Sequence, residues 1–299
     1  MELFLNGEKM KFVYRKQLIV LLFFCNLICS AQTSKKNKPI EYITVAILAK
    51  DKAHTLPLYL TCLEQQTWPA HKTYLYIRTN NNNDDTAQIL HDWIARVGKR
   101  YAKIYFDDSD VDVPIEQFGQ HEWNYTRFKV LGDIRQASVD WAYQHNSHYF
   151  VADCDNFIYP DTIESMIKLN VPIVAPLLRC YSQKYYSNYH DIVDGNGYYT
   201  PSILYYDMLE QRVMGIIEVA VVHCTYFIRH EYLDKMCYDD ESARYEYVIF
   251  SDRARQQNVP QYLDNRTIYG YISFAENEEE LHQEPFIDFL PVAQSDAKR

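Results

Sequence analysis

Clustered positive charge is missing from this chain. It carries 30 Lys and Arg against 40 Asp and Glu, a formal net charge of −10. No stretch of the body gathers the basic residues, so the electrostatic footprint of a nucleic-acid binder is absent and no nucleic-acid partner is expected. There is no Cys-X-X-Cys spacing, which removes the common zinc modules. Of seven cysteines, Cys25 and Cys29 fall in the amino-terminal segment. That leaves Cys62, Cys154, Cys180, Cys224 and Cys237, an odd set that cannot all pair. An oxidising compartment would allow one or two disulfides without fixing which. No apolar run reaches the length of a comfortable membrane span, and no internal repeat is visible.

What is present begins with a processing signal. Met10 to Lys16 is basic, Leu18 to Ile28 is apolar apart from Asn26, and Cys29, Ser30 and Ala31 are small. This is the layout of a secretory signal peptide over residues 1–31, cleaved after Ala31, with Met10 as an alternative start. An uncleaved signal anchor is the other reading, and the only membrane connection expected. Residues 32–40 form a polar linker. The chain as a whole, 47% hydrophobic with 27 tyrosines, is long enough for one sizeable core or at most two small ones. Tyrosine joins apolar area to a polar tip, which suits sugar-facing surfaces as well as ordinary half-buried packing.

Strands and helices then alternate. Glu41 to Ala49 reads as a buried first strand, and Thr55 to Gln66 as a helix with Leu56, Leu60 and Leu63 on one face. Thr73 to Thr79 is a second strand, followed by a polar loop from Asn80 to Thr86 and a helix from Ile89 to Val97. Ala102 to Phe106 is a third strand, and Tyr125 to Gln144 a long helix. The alternation predicts an α/β fold with a mostly parallel central sheet and helices on both faces. Later come a short strand at Ile173 to Leu178, a tyrosine-rich loop region with a small hairpin turning at Asp194-Gly195-Asn196-Gly197, and a β-like run from Val219 to Ile228. A helix over Tyr247 to Asn258, a last strand and turn from Tyr262 to Tyr271, and an acidic, loosely held tail over 275–299 complete the reading. The folded domain is expected over 41–274.

The most informative stretch is His148-Tyr149-Phe150-Val151-Ala152-Asp153-Cys154-Asp155-Asn156. An aromatic, β-prone run ends in two carboxylates one residue apart. Alternation along a strand sends Asp153 and Asp155 the same way. Hard divalent ions prefer oxygen ligands, and open α/β sheets bind ligands at the carboxyl ends of their strands. The pattern predicts a divalent-metal site holding a nucleotide diphosphate. Asp-X-Asp also occurs by chance, but here Pro160-Asp161-Thr162 opens a helix behind it. A rival acidic run, Asp107 to Asp112, precedes Pro114 with no apolar pattern after it. It reads as a solvated loop, with calcium binding as the alternative.

Several segments resemble, in order and spacing, the procollagen galactosyltransferase family. They are Ala46 to Lys50 with Ala53 to Pro57, Arg135-Gln136-Ala137, Asp153 to Phe157, Ile173 to Pro176, Tyr186-Ser187-Asn188, Val222 to Thr225, and Asn265-Arg266 with Tyr269-Gly270-Tyr271. Together they correspond to that family's amino-terminal domain. The resemblance implies a GT-A fold, a UDP-sugar donor, and Mn²⁺ or Mg²⁺. It implies Asp155 as the main metal ligand, Asp153 beside ribose and metal, and His223 as a further ligand, against a buried structural histidine as the bland alternative. Ala49 and Asn80 would line the nucleoside. Arg135 would face the donor or serve as a structural ion pair. The implied reaction is inverting transfer of a hexose, galactose on this resemblance, to a hydroxyl of a protein or glycan acceptor, hydroxylysine of a collagen-like protein among them. Glu246 is the candidate base, with Asp239 and Asp240 as rivals. The family usually has aspartate where Asn80 stands, and an acidic pair where this chain has Tyr245-Glu246-Tyr247. The animal enzymes also carry a second domain and a retention tail, which Asp296 to Arg299 does not resemble. The expected location is the secretory pathway, lumenal or secreted, or periplasmic or membrane-anchored in a bacterium. A catalytically silent glycan-binding scaffold is the reading from another class.

Overall fold

The computed structural model describes residues 40–112 and 124–290. The expected signal peptide and most of the linker lie outside the described residues, as does the end of the acidic tail. Among the described residues no helix is long and apolar enough to cross a membrane.

The first half follows the alternation. Strand β1 (Ile43–Ala49) leads to helix α1 (Leu56–Glu64), β2 (Thr73–Thr79) to α2 (Thr86–Val97), and β3 (Lys103–Asp107) is followed by α3 (Tyr125–Gln144) and β4 (His148–Ala152). Strand β1 is buried along almost its whole length, as the central strand of a sheet covered on both faces must be. Helix α3 starts at Asn124, whose side chain accepts from the Arg127 backbone N–H at 3.1 Å.

The second half is built of shorter pieces. In order they are β5 (Asn156–Ile158), α4 (Thr162–Lys168), β6 (Ile173–Pro176), β7 (Leu178–Cys180), β8 (Tyr189–His190) and α5 (Ile203–Leu209). Then come β9 (Ile216–Val219), β10 (Val221–Val222), β11 (Thr225–Ile228), α6 (His230–Leu233), α7 (Glu246–Gln256), β12 (Gln261–Asp264), β13 (Gly270–Ile272) and α8 (Glu278–Gln283). The main sheet has eight strands in the order β3-β2-β1-β4-β11-β6-β12-β9. Strands β3, β2, β1 and β4 are mutually parallel, whereas β11 runs antiparallel between β4 and β6. A separate three-stranded sheet joins β5, β13 and β7. Two apolar cores result. One contains Ile43, Ile47, Leu60, Leu90, Trp93 and Phe150, and the other Val139, Tyr149, Tyr189, Tyr226 and Phe250.

Three expectations need correction. The run Val219 to Ile228 is three strands, not one. It breaks at Ala220, whose N–H bonds to His190 O, and at His223-Cys224, where Cys224 adopts φ +60°. The stretch Tyr262 to Tyr271 is two strands in different sheets, separated by the ion pair of Asp264 with Arg266. The residues after Ala275 are acidic but docked as far as Leu290: Leu281, Phe286 and Leu290 are buried, and the Phe286 ring stacks on Tyr271 at 5.1 Å. All five cysteines of the folded part are free thiols. The expected turn at Asp194 to Gly197 is present, closed by the Gly197 N–H on Asp194 O at 3.1 Å.

Candidate active site

Strand β4 delivers its two carboxylates into a turn held from several sides. The Asp153 N–H donates to Cys224 O at 3.0 Å, the Asn156 N–H to Asp153 O at 2.8 Å, and the Ser273 N–H to Asp155 O at 3.0 Å. Between the carboxylates, Cys154 is buried and its thiol reaches Leu48 O. Asp153 and Asp155 keep 30% and 26% of their side chains exposed. The strand ends at Ala152, so a turn rather than strand alternation sets these side chains: the Cys154 thiol goes into the core, and the two acids stay partly exposed.

A cavity of about 620 Å³ opens at the carboxyl ends of β1 and β2, with Asp155 in its wall. Ala49 and Asn80 line it, as expected for strand-end residues. So do Lys52, Arg78, Ser273 and Phe274, which the sequence reading did not single out. The Lys50-Asp51-Lys52 run straight after an apolar strand was the available signal for Lys52. The rival acidic run is the solvated loop expected, with Asp108, Asp110 and Asp112 exposed, and it also braces this rim. Asp110 accepts from the Asn81 backbone N–H at 2.7 Å, and Asp107 pairs with Arg78 at 3.6 Å.

Each carboxylate of the pair has its own cation. Lys52 Nζ lies 2.7 Å from Asp155 Oδ2, and Arg135 Nη2 lies 2.8 Å from Asp153 Oδ1. Arg135 is buried and reaches further, its Nε standing 3.7 Å from Glu246 Oε1. One guanidinium therefore links Asp153 to Glu246 across α3. Desolvation pushes the Asp153 carboxyl above its usual range, Arg135 pulls against it, and Asp155 adds to the rise. Glu246 is raised in the same way, by burial, with Arg135 again opposing. Neither Arg135 nor Glu246 lines the cavity. Glu246 Oε2 has no protein hydrogen-bond partner. Its rivals are already engaged at the surface: Asp239 pairs with Lys129 at 2.9 Å, and Asp240 pairs with Arg244.

His223 sits at the break before β11. Its Nδ1 lies 2.8 Å from Cys224 Sγ, and its Nε2 has no protein partner. The ring packs 5.1 Å from His190 and 5.2 Å from Tyr247. Burial holds its pKa well below the usual imidazole value, so the ring is neutral, the form that ligates metals. Among the described residues, however, no three His, Cys, Asp or Glu side chains converge into a metal-holding group. Asp153, Asp155 and His223 are thus not brought together as a ready cage.

Residues 40–292 match the family model described as glycosyltransferase family 25, N-terminal domain. The chain belongs to glycosyltransferase family 25. Among curated relatives of this family 25 chain, mouse procollagen galactosyltransferase 2 is 31% identical over 249 residues, 80% of this chain and 39% of the relative. Human procollagen galactosyltransferase 2 is 32% identical over 242 residues, 77% of this chain and 38% of the relative. The human inactive glycosyltransferase 25 family member 3 is 27% identical over 245 residues, covering 79% and 41%. The family 25 chain therefore spans about two-fifths of the length of these relatives. Its fold is that of a GT-A glycosyltransferase. Staphylococcus aureus TarS (residues 1–349) superposes with a TM-score of 0.51 at 13% identity, covering 78% of this chain and 60% of that one. The same fragment with UDP-GlcNAc gives 0.50 at 13% identity, covering 80% and 60%. The family resemblance read from the motifs is thereby shown, and so is the fold class.

Proposed function

We propose that this family 25 domain transfers a hexose from a UDP-sugar to a hydroxyl acceptor, galactose being the first donor to try. The observation that carries the reading is the pair Asp153 and Asp155 at the end of β4, opening beside a cavity at the neighbouring strand ends. Ala49 and Asn80 form the wall for the nucleoside, and Asp155 marks the diphosphate end.

The residues fit a hard divalent cation. Such ions take one or two carboxylates and complete their shell with substrate phosphate and water, so a preassembled three-ligand cage is not required. Asp155 and Asp153 are the proposed ligands, and the unpartnered Nε2 of His223 is the proposed additional one. Bound Mn²⁺ or Mg²⁺ would supply charge neutralisation for the leaving diphosphate. Glu246 is the proposed base for the acceptor hydroxyl. Its support is one free oxygen, a proton affinity raised by burial, and the commitment of Asp239 and Asp240 elsewhere. Arg135 holds Glu246 and Asp153 in one electrostatic unit. A collagen-like acceptor is proposed from the names of the procollagen galactosyltransferase relatives, and inversion at the anomeric carbon and a lumenal setting are proposed from the sequence resemblance alone.

The test is UDP release from a panel of UDP-sugars with and without Mn²⁺, using residues 32–299 and an Asp155→Asn control. Metal-dependent turnover of one donor, lowered about 1,000-fold or more in the control, supports the transferase. The inactive human relative keeps a second reading in play, a silent scaffold. Metal-dependent UDP binding without turnover across a broad acceptor panel, hydroxylysine peptides included, would favour that reading.

A further inference from the structure

Two lysines flank Asp51 after β1, and they differ in one respect. Lys50 Nζ is committed to its own rim, at 2.7 Å from Asp51 Oδ2 and 2.6 Å from Asn81 O. Lys52 Nζ instead crosses to Asp155 Oδ2, 103 residues away in sequence, at 2.7 Å. The Lys52 backbone is fixed. Its N–H donates to Thr86 Oγ1 at 2.7 Å, and its carbonyl accepts from the Thr55 and Leu56 N–H groups at 3.1 and 2.9 Å as α1 begins. Only the flexible four-carbon stem can move. Both Lys52 and Asp155 line the same cavity.

An ammonium in hydrogen-bond contact with Asp155 and a divalent cation on that carboxylate repel each other at close range. Withdrawal of Lys52 from Oδ2 would relieve that repulsion and free both carboxylate oxygens for the cation. The withdrawn ammonium stays, by the length of its stem, within the cavity that would hold the donor's diphosphate, and lysine is a natural point-charge partner for phosphate. We propose that Lys52 is a positioning residue that holds Asp155 against metal until the donor arrives, then passes to the diphosphate, so that metal and nucleotide bind cooperatively. This rests on the metal reading given above.

The experiment is a Mn²⁺ titration followed by electron paramagnetic resonance, with and without UDP, on the wild type, Lys52→Met, Lys52→Arg and Asp155→Asn. Without UDP, Lys52→Met should bind Mn²⁺ roughly 10-fold more tightly than the wild type. In the presence of Mn²⁺, the same variant should bind UDP roughly 10-fold more weakly, because the phosphate partner is gone. Lys52→Arg keeps the charge and should stay near the wild type in metal affinity. If Lys52→Met leaves Mn²⁺ affinity unchanged or lower while Asp155→Asn abolishes it, the role of Lys52 is overturned and the metal site survives. If Asp155→Asn does not alter Mn²⁺ binding with or without UDP, the metal reading fails and the Lys52 role falls with it.

Discussion

The two sides of β4 treat their polar groups differently. On the side of β1 and β2, the charged groups at the cavity rim have partners within the protein: Asp155 with Lys52, Asp51 with Lys50, Asp107 with Arg78. On the side of β8, β10 and α7, buried polar atoms stand unpartnered. They are His190 Nδ1, both Asp191 oxygens, His223 Nε2 and Glu246 Oε2. A buried polar atom without a hydrogen bond costs about 1–3 kcal/mol. A catalytic role and an ordered water are among the reasons such a group persists. The first side is preorganised by charge matching, and the second keeps hydrogen-bonding capacity in reserve. Arg135 spans the seam, touching Asp153 on one side and Glu246 on the other.

The strongest way to break this contrast is to remove the link. Arg135→Met leaves two carboxylates without their buried cation and should lower stability by about 3–5 kcal/mol, read by urea denaturation. A loss under about 1 kcal/mol would mean that the two sides are electrostatically independent. Next, Glu246→Gln should lower transfer about 100-fold, or roughly 2.7 kcal/mol in barrier, while Mn²⁺-dependent UDP binding stays near normal. Near-normal turnover would assign the proton to another group.

These two predictions rest on groups whose type, but not environment, was legible in the sequence. The βαβ alternation and the strand ending in Asp153 and Asp155 could be read because apolar periodicity is local. The breaks at Ala220 and at His223-Cys224 could not, because Val219 to Ile228 is uniformly β-prone and only long-range pairing divides it. Strand β10 pairs with β8, whereas β11 pairs with β4 and β6. Lys52 was missed because its partner lies far along the chain. The tail was read as loose because its acids outnumber Leu281, Phe286 and Leu290, yet those three apolar residues decide where it lies.

Acid probes two buried imidazoles, both turned away from β1 and β2. Burial pushes His148, on β4, down to about 4, and His190, on β8, likewise to about 4, from an ordinary 6.5. Their folded-state pKa values are depressed, so the unfolded chain takes up these protons first. Stability should therefore fall as pH drops below 6.5 and level off below about 4. Each histidine should account for about 2 kcal/mol lost by pH 5. His148→Asn and His190→Asn should each remove that share of the slope between pH 7 and 5, whatever they do to stability at pH 7. A slope changed by only one of them would place the acid sensitivity at that ring alone.

The smallest expected effect lies far from the seam. Glu64 accepts from Trp93 Nε1 at 3.0 Å and pairs with Arg96 and Arg100. Burial alone would raise its carboxyl, but the Arg96 and Trp93 bonds outweigh that and hold it below the usual value. Glu64→Gln should cost about 0.5–1 kcal/mol at pH 7, discounted because the two arginines are exposed. A depressed carboxyl contributes stability above its unfolded pKa and loses it as pH falls through the folded value. The deficit of the variant should thus vanish under acid conditions, and a deficit independent of pH would mean that packing, not charge, is responsible.

The bond from the Ser273 N–H to Asp155 O has a consequence for the newborn chain. Asp155 is made about midway along the chain, but the backbone strut that fixes it belongs to a segment made more than a hundred residues later. Strand β13 can deliver that strut only by threading Gly270, at φ +155°, against the Phe157 carbonyl, where a side chain would have no room. A chain halted before that point would already have β1 to β4 and the carboxylate pair, but not the geometry that holds Asp155. The order of synthesis itself would withhold a finished site until almost the whole domain has emerged.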